Sequence, residues 1–149
     1  MIWDAKNNLQ LIGNNLEDLK IISAYSQDSI VLVKDMVFLK KNRIFVMIVN
    51  RFMWEHMERE DSRFNKRTRC AIKFDGVLRV KSKRINQKKG NRRLICMAIK
   101  CNEISDENYE VKIFFSGGSI ITLIKENLEV VMQDLGASWQ VKNIPKHKI

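Results

Sequence analysis

The sequence contains few of the residues that nucleophilic, metal-dependent or nucleotide-dependent enzymes use. Only two of its 149 residues are histidines, and His56 is the one outside the C-terminal tail. No Gly-x-Ser-x-Gly motif occurs. Cys96 and Cys101 lie an odd number of residues apart on one predicted strand, so they should face opposite sides and not share a metal ion. Gly117-Gly118 lacks the lysine and the following helix of a phosphate-binding loop. We therefore predict no catalytic residue, no metal site and no cofactor.

Paired carboxylates for acid–base catalysis are the one enzymatic feature that the sequence leaves open. Glu55, Glu58, Glu60 and Asp61 lie close together, just ahead of a basic segment. Nothing in the pattern buries these carboxylates, and burial is what would raise their pKa values. A solvated acidic face is the favoured interpretation, and this face could also fold over the basic segment.

Long hydrophobic runs and a disulfide framework are missing as well. The longest apolar run, Ile44 to Val49, has the length of a buried strand and not of the roughly 20 residues that cross a bilayer. The N-terminus has no basic region followed by an apolar one, so we predict no secretory signal and a cytoplasmic location. Three cysteines without disulfide-scaffold spacing indicate reduced thiols in the core.

Acidic residues are almost absent from the segment between Arg63 and Arg93. This segment holds thirteen of the 27 lysines and arginines and one acid, Asp75, which gives it a net charge of +12. A concentrated positive charge makes a local field that attracts polyanions. The chain is also rich in Lys, Ile and Asn, however, and an AT-rich coding genome produces that mixture by drift.

Hydrophobic and cationic residues alternate strictly over residues 69–83. Even positions are mostly apolar and odd positions mostly cationic, so a strand here would have one core face and one row of cations. We favour a single bent or bulged strand, because the alternation continues through Gly76. The alternative is a tight hairpin turn at Asp75-Gly76 that makes two strands.

The remaining pattern predicts an α+β fold in a single domain over residues 1–149. Asn15 is a predicted N-cap for a helix at about 16–27, Ile44–Phe52 is a predicted central strand, and Gly117-Gly118 is a predicted two-residue hairpin turn. That hairpin would place Val111, Ile113 and Phe115 on one core face with Ile120, Thr122 and Ile124.

A closing helix is predicted at about 127–135, ending at Gly136. About seven antiparallel strands would curl into a small barrel or two orthogonal sheets, an arrangement that resembles the pleckstrin-homology-like superfold. Residues 1–13 and 142–149 should be loosely ordered.

The end of the predicted central strand combines residue types that are common in binding hot spots. Arg51 and Trp54 stand in the run Asn50-Arg-Phe-Met-Trp-Glu55, and Arg and Trp are enriched where proteins bind each other. The favoured interpretation is a tryptophan that closes the end of the sheet, with Arg51 paired to an acid. The alternative is a partner-binding patch formed by Arg51 and Trp54.

Several stretches together resemble an uncharacterised alphaproteobacterial family, the domain of unknown function 2948. The stretches are Asp18-Leu-Lys-Ile-Ile-Ser-Ala24 with Gln27-Asp28, Asn50-Arg-Phe-Met-Trp-Glu55, Phe74-Asp-Gly-Val-Leu-Arg-Val-Lys-Ser-Lys-Arg-Ile85, Phe115-Ser-Gly-Gly-Ser-Ile120, and Asp134-Leu-Gly136 with Trp139. They follow one another over nearly the whole chain. The resemblance implies one domain in a cytoplasmic bacterial protein, and it implies no particular activity.

These observations favour a small non-enzymatic binding module with a cationic strand face. Its ligand would be a polyanion such as RNA, DNA or an anionic lipid headgroup. The candidate contact residues are Arg69, Lys73, Arg79, Lys81, Lys83, Arg84, Arg92 and Arg93. The alternative is a protein–protein adaptor or a homodimer that uses the region of Arg51 and Trp54, or an exposed sheet edge.

Overall fold

The computed structural model describes residues 2–3, 9–56, 66–141 and 145, and within these residues it consists of an antiparallel sheet and one α-helix. The ten strands are β1 (Ile2–Trp3), β2 (Leu9–Gly13), β3 (Ile30–Leu39), β4 (Ile44–Phe52), β5 (Lys66–Phe74), β6 (Val77–Lys83), β7 (Arg93–Ser105), β8 (Asn108–Phe115), β9 (Ile120–Lys125) and β10 (Val130–Gln140), and the helix is α1 (Leu16–Ser26). Of the termini expected to be loosely ordered, residues 1, 4–8, 142–144 and 146–149 lie outside the described residues.

The strands form one continuous sheet that is curved but not closed. Its order is β1-β2-β10-β5-β4-β3-β7-β8-β9-β6, so β1 and β6 are the edge strands. Phe74 at the end of β5 and Val77 at the start of β6 are three residues apart along the chain, at most about 11 Å. In sheet order these two strands are six places apart, which is about 29 Å in a flat sheet. The sheet must therefore bend strongly, and its concave side encloses the core.

Helix α1 fills part of this concave side, and the prediction of a helix at 16–27 is confirmed. The Asn15 side chain accepts a hydrogen bond from the backbone N–H of Asp18 at 2.9 Å, which caps the first turn. Leu19 and Ile22, one helical turn apart, are buried in the core. The Ser23 hydroxyl accepts the backbone N–H of Ile99 at 2.9 Å and ties the helix to β7.

The predicted α+β fold is wrong, both in its closing C-terminal helix and in its pleckstrin-homology-like arrangement of about seven strands curled into a small barrel or two orthogonal sheets, because the described residues form one open ten-stranded sheet. Residues 130–140 form β10, which pairs with both β2 and β5 in the middle of the sheet. Burial follows a strand period, because Val130, Met132 and Asp134 are buried. The spacing of the apolar residues in this segment fits both a helix and a strand. Pairing with two distant strands makes the segment a strand. Gly136 lies in an irregularity of β10 between Asp134 and Ser138 and does not end a helix.

The hairpin predicted at Gly117-Gly118 exists, but its predicted register is wrong. The loop holds three residues, Ser116–Gly118, and the backbone N–H of Phe115 donates to the carbonyl of Ser119 at 2.8 Å. This extra residue shifts the pairing by one position. Ile113 therefore faces Ile121, and the core face of β9 carries Ile121, Leu123 and Lys125. Thr122 and its neighbours Ile120 and Ile124 point to the outer face instead.

Residues 69–83 do not form the single bent strand that the alternation favours. The chain breaks at Asp75-Gly76, where Gly76 has a φ of +67°, and β5 and β6 pair with different strands. They do not form a hairpin with each other either. The alternation survives across the break because a bulge after Val77 compensates for the turn. Cations from β5 and β6 consequently lie on two different parts of the sheet.

Candidate polyanion-binding surface

Strand β6 carries three of the predicted contact residues at the exposed edge of the sheet. Arg79, Lys81 and Lys83 are exposed, whereas the even positions Leu78 and Val80 are partly buried. The strand pairs with β9 alone, so its second edge is open among the described residues. Cations on an edge strand also discourage edge-to-edge aggregation. The neighbouring strands therefore decide whether these cations belong to a larger surface.

Strand pairing extends the row of cations across four strands. Lys81 faces Thr122 on β9, Thr122 faces Lys112 on β8, and Lys112 faces Lys100 on β7. This row covers three strand spacings, about 14 Å. We call Arg79, Lys81, Lys83, Lys100 and Lys112 the cationic face. Lys100 and Lys112 were not among the predicted contacts, although alternation on β8 places Lys112 opposite the core residues Val111 and Ile113.

The same face contains one acid and one aromatic ring. Glu110 lies 3.7 Å from the ammonium of Lys112, so the five cations and this acid give the face a net charge of +4. The Lys100 ammonium lies 5.8 Å from the centre of the Phe114 ring, which is itself partly exposed. Among the described residues, Arg79, Lys81, Lys83 and Lys100 form no ion pair. The face can therefore offer unpaired charge and an aromatic surface together.

Arg84 and Arg92 lie in the connection between β6 and β7, and only one of them is available to a ligand. The Arg92 guanidinium donates to the carbonyl of Arg84 at 2.7 Å and to the hydroxyl of Ser119 at 3.0 Å, and Arg92 is only partly exposed. Ser119 donates in turn to the Arg84 carbonyl at 2.8 Å. Arg92 thus supports the turn, which holds Arg84 in a left-handed conformation (φ 57°) with its side chain exposed.

The other predicted cations lie on a different part of the outer surface. Arg69 of β5 and Arg93 of β7 line a small cleft of about 170 Å³, which Asp35 and Asn50 also line. The ammonium of Lys73 lies 3.7 Å from the carboxylate of Asp75. The eight predicted residues therefore do not form one continuous row, because β5 and β6 are far apart in the sheet order.

Arg51 is enclosed in the concave side and is not available as a contact residue. Its side chain has no exposed area, and its guanidinium donates to Asp134 at 2.7 and 2.8 Å and to Glu55 at 2.8 Å. Burial alone would lower the pKa of Arg51, but hydrogen bonds to Asp134 and Glu55 outweigh burial and raise the pKa. One oxygen of Asp134 also accepts the backbone N–H of Leu9 at 2.8 Å. The group is a structural ion network that links β4, β10 and β2.

Trp54 follows the end of β4 and lies beside this network. Its indole N–H donates to the carbonyl of Gln27 at 2.8 Å, and its ring centre lies 4.6 Å from that of Phe52. Arg51 and Trp54 thus do not form an exposed patch. Glu55 pairs with Arg51 and does not cover the cationic face. The other acids of the predicted acidic patch, at positions 58, 60 and 61, lie outside the described residues.

Lys125 is a second buried cation, which no pattern in the sequence singled out. It is 1% exposed, its ammonium donates to the carbonyl of Glu129 at 2.7 Å, and it lies 5.3 Å from the centre of the Phe74 ring. Burial lowers the pKa of Lys125 to about 8, although the charges of Asp75 and Glu129 oppose this shift. The corrected β9 register explains its position, since it shares a face with Leu123.

The cysteines are poor nucleophiles in this environment. Cys70 and Cys96 are buried free thiols, and burial raises the pKa of Cys70 and raises that of Cys96 to about 12. Cys101 is partly buried, and burial raises its pKa as well. The prediction that Cys96 and Cys101 face opposite sides is wrong, because a bulge between them shifts the alternation and both pair with core residues of β8. In the described part of the chain, no three His, Cys, Asp or Glu side chains are placed to hold a metal ion.

Comparison with known proteins gives a family but no activity. The model of the family described as Protein of unknown function (DUF2948) matches residues 9–147. None of the curated proteins and none of the solved structures compared with the chain matches it. Within the described residues, no helix has the length and the apolar character that crossing a membrane requires. Because the family model covers nearly the whole chain, the protein belongs to the DUF2948 family.

Proposed function

We propose that this protein is a non-enzymatic binding module whose cationic face binds a polyanion, with single-stranded nucleic acid as the expected class. The observation that carries the proposal is the transverse row Lys81–Thr122–Lys112–Lys100, which three independent strand pairings bring together. Lysine and arginine supply affinity for phosphates without sequence specificity, and a threonine hydroxyl is a further phosphate contact.

Two further features support a single strand over a duplex. The face is part of a broad sheet, and among the described residues no helix or loop projects from it that would enter a groove. Phe114 lies beside Lys100 on this face, and an aromatic ring next to cations is the arrangement on which bases of single strands stack. The proposal includes a cytoplasmic location in a bacterial cell, where the protein would have access to RNA and DNA.

The proposal is tested by fluorescence anisotropy with a labelled uridine oligonucleotide roughly 20 nucleotides long. We expect binding at about 50 mM salt that weakens steeply as salt is raised, because bound phosphates release counterions. The double variant Lys81→Glu/Lys112→Glu should bind about tenfold or more weakly, and Phe114→Ala about fivefold or more weakly.

A matched control distinguishes the effect of the cationic face on binding from the effect of the total charge of the protein. Lys40→Glu/Lys41→Glu makes the same change of charge at an exposed turn between β3 and β4. Equal losses in both double variants would show that binding follows total charge and would overturn the proposed face. Binding to vesicles containing an anionic lipid, with none to the oligonucleotide, would keep the face but replace the ligand.

A further inference from the structure

Strand β7 is paired along only one edge for most of its length. Strand β8 follows one edge from Cys96 to Ser105, whereas β3 and the two residues before it reach the other edge only at Arg93–Cys96. Beyond that point α1 lies beside the second edge. A groove of about 500 Å³ runs between them, lined on the helix side by Leu16, Glu17, Leu19, Lys20 and Ser23 and on the strand side by residues 98–102.

Two hydrogen bonds fix the direction in which the backbone groups of β7 point. The N–H of Ile99 donates to the Ser23 hydroxyl, so it points away from β8 and toward the groove. The N–H of Phe115 donates to Ser119 across the β8–β9 hairpin. Because backbone groups alternate along a strand, the N–H and C=O of Val111 also point toward β9. Val111 is the partner of Cys101, so it does not hydrogen-bond to Cys101. Both observations direct the N–H and C=O groups of Cys101 and Glu103 to the open edge.

These edge groups have no hydrogen-bond partner within the described part of the chain. The Ile99 N–H donates to the Ser23 hydroxyl, but no described residue offers a comparable acceptor at Cys101 or Glu103. A row of unpaired N–H and C=O groups at every second residue matches the backbone of an extended chain and no compact ligand. An added chain could not pair at Ile99, because Ser23 of α1 already accepts the Ile99 N–H.

We propose that the groove between α1 and β7 binds an extended, largely uncharged peptide segment of another protein, which adds as a short strand to β7 at Cys101–Glu103. The side-chain preference follows from the walls of the groove. Leu16 is 47% exposed and offers an apolar contact. Lys20 and Glu17 pair with each other at 3.3 Å, so the helix wall carries no net charge to select an acidic or a basic segment. The groove shares Lys100 with the cationic face, but strand addition uses the backbone groups of β7 and does not depend on nucleic-acid binding.

Amide hydrogen exchange on the full chain tests the backbone part of the proposal. The probes are capped hexapeptides that alternate threonine with valine, isoleucine, leucine or phenylalanine, each added at about 1 mM. In the free protein the amides of Cys101 and Glu103 should exchange fast and those of Lys100 and Asn102 slowly, since the latter point to β8. A bound peptide should slow exchange at Cys101 and Glu103 at least tenfold.

Backbone methylation of the bound peptide distinguishes strand addition from simple contact with an apolar groove. N-methylation at the residues that face β7 should abolish protection, whereas methylation at the alternate residues should leave it unchanged. Equal effects of the two methylation patterns would overturn the proposal, as would the absence of protection by all four peptides.

The helix provides a matched pair of variants. Leu16→Arg should weaken peptide binding about tenfold or more, because the arginine occupies the groove. Ile21→Arg is the control, since Ile21 is 43% exposed on the same helix but does not line the groove. Equal losses would place the peptide elsewhere. If Cys101 and Glu103 are already protected in the free protein, and protection and mass both rise with protein concentration, the occupant is a second copy and the proposal fails.

Discussion

Arg51 and Lys81 lie on strands of the same sheet, yet their surroundings are opposite. Arg51 is on β4, in the interior of the sheet order, and faces inward with no exposed area. Lys81 is on β6, at the edge, and faces solvent with no ion pair among the described residues. The local density of charge in the sequence did not distinguish these roles. Strand position and the face of the side chain decide whether a cation stabilises the fold or is available to a ligand.

The inward cation requires partners from distant parts of the chain. Asp134 is 83 residues from Arg51 and meets it because β10 and β4 both flank β5. A buried guanidinium costs several kcal/mol unless good hydrogen bonds offset its desolvation. Arg51 makes four such bonds to two carboxylates. The outward cations need no such compensation, so their variants should affect binding and leave the fold intact.

The largest expected effect is on stability, from Arg51→Met. Removing the guanidinium leaves the carboxylates of Asp134 and Glu55 buried without their counter-charge, and we expect unfolding free energy to fall by about 3–5 kcal/mol. Urea unfolding followed by circular dichroism measures the loss. Arg51→Met/Asp134→Asn should recover part of it, because the amide oxygen can still accept the Leu9 N–H. A loss below about 1 kcal/mol in Arg51→Met would contradict the enclosed network.

Lys125 is intermediate in this comparison, because it is buried like Arg51 but has no carboxylate hydrogen-bonded to it among the described residues. The unfolded chain holds the Lys125 proton up to a pKa of 10.5, whereas burial lowers the folded pKa to about 8. Between these values the unfolded state binds more protons, so stability should rise with pH. The difference between these two pKa values corresponds to about 3 kcal/mol, gained between about pH 8 and 10.5.

Comparison with Lys125→Met isolates this effect from other groups that titrate in the same range. We expect the stability of the wild type relative to the variant to increase across that pH window and to be constant at neutral pH. Urea unfolding of both proteins at a series of pH values measures the difference. A difference that does not change with pH would mean that Lys125 is solvated in the folded state.

Local signals in the sequence predicted local structure well. The helix begins after Asn15 as its cap predicts, and Ile44–Phe52 is an interior strand with the predicted bounds. The even–odd alternation correctly placed Cys70, Ile72 and Phe74 in the core. These features depend on neighbours within a few residues, which is the range over which capping and periodicity act.

Features that depend on distant pairing were not predictable in the same way. The apolar residues of 128–135 fit a helix, and only pairing of β10 with β2 and β5 makes them a strand. The hairpin register depended on whether two or three residues form the loop, and this choice moved Thr122 to the outer face and Lys125 into the core. The cationic face could therefore be found only in part, since Lys100 and Lys112 join Lys81 through three pairings.

The smallest expected effect is on the stability of the variant that should bind nucleic acid least. Lys81→Glu/Lys112→Glu changes outward side chains on a surface of like charge, so unfolding free energy should stay within about 0.5 kcal/mol of the wild type. Any change should be a slight gain, since the substitutions reduce repulsion within a chain of net charge +10. Urea unfolding in the anisotropy buffer measures this. A loss above about 2 kcal/mol would show that these lysines support the fold, and weaker binding could then no longer be assigned to the lost phosphate contacts.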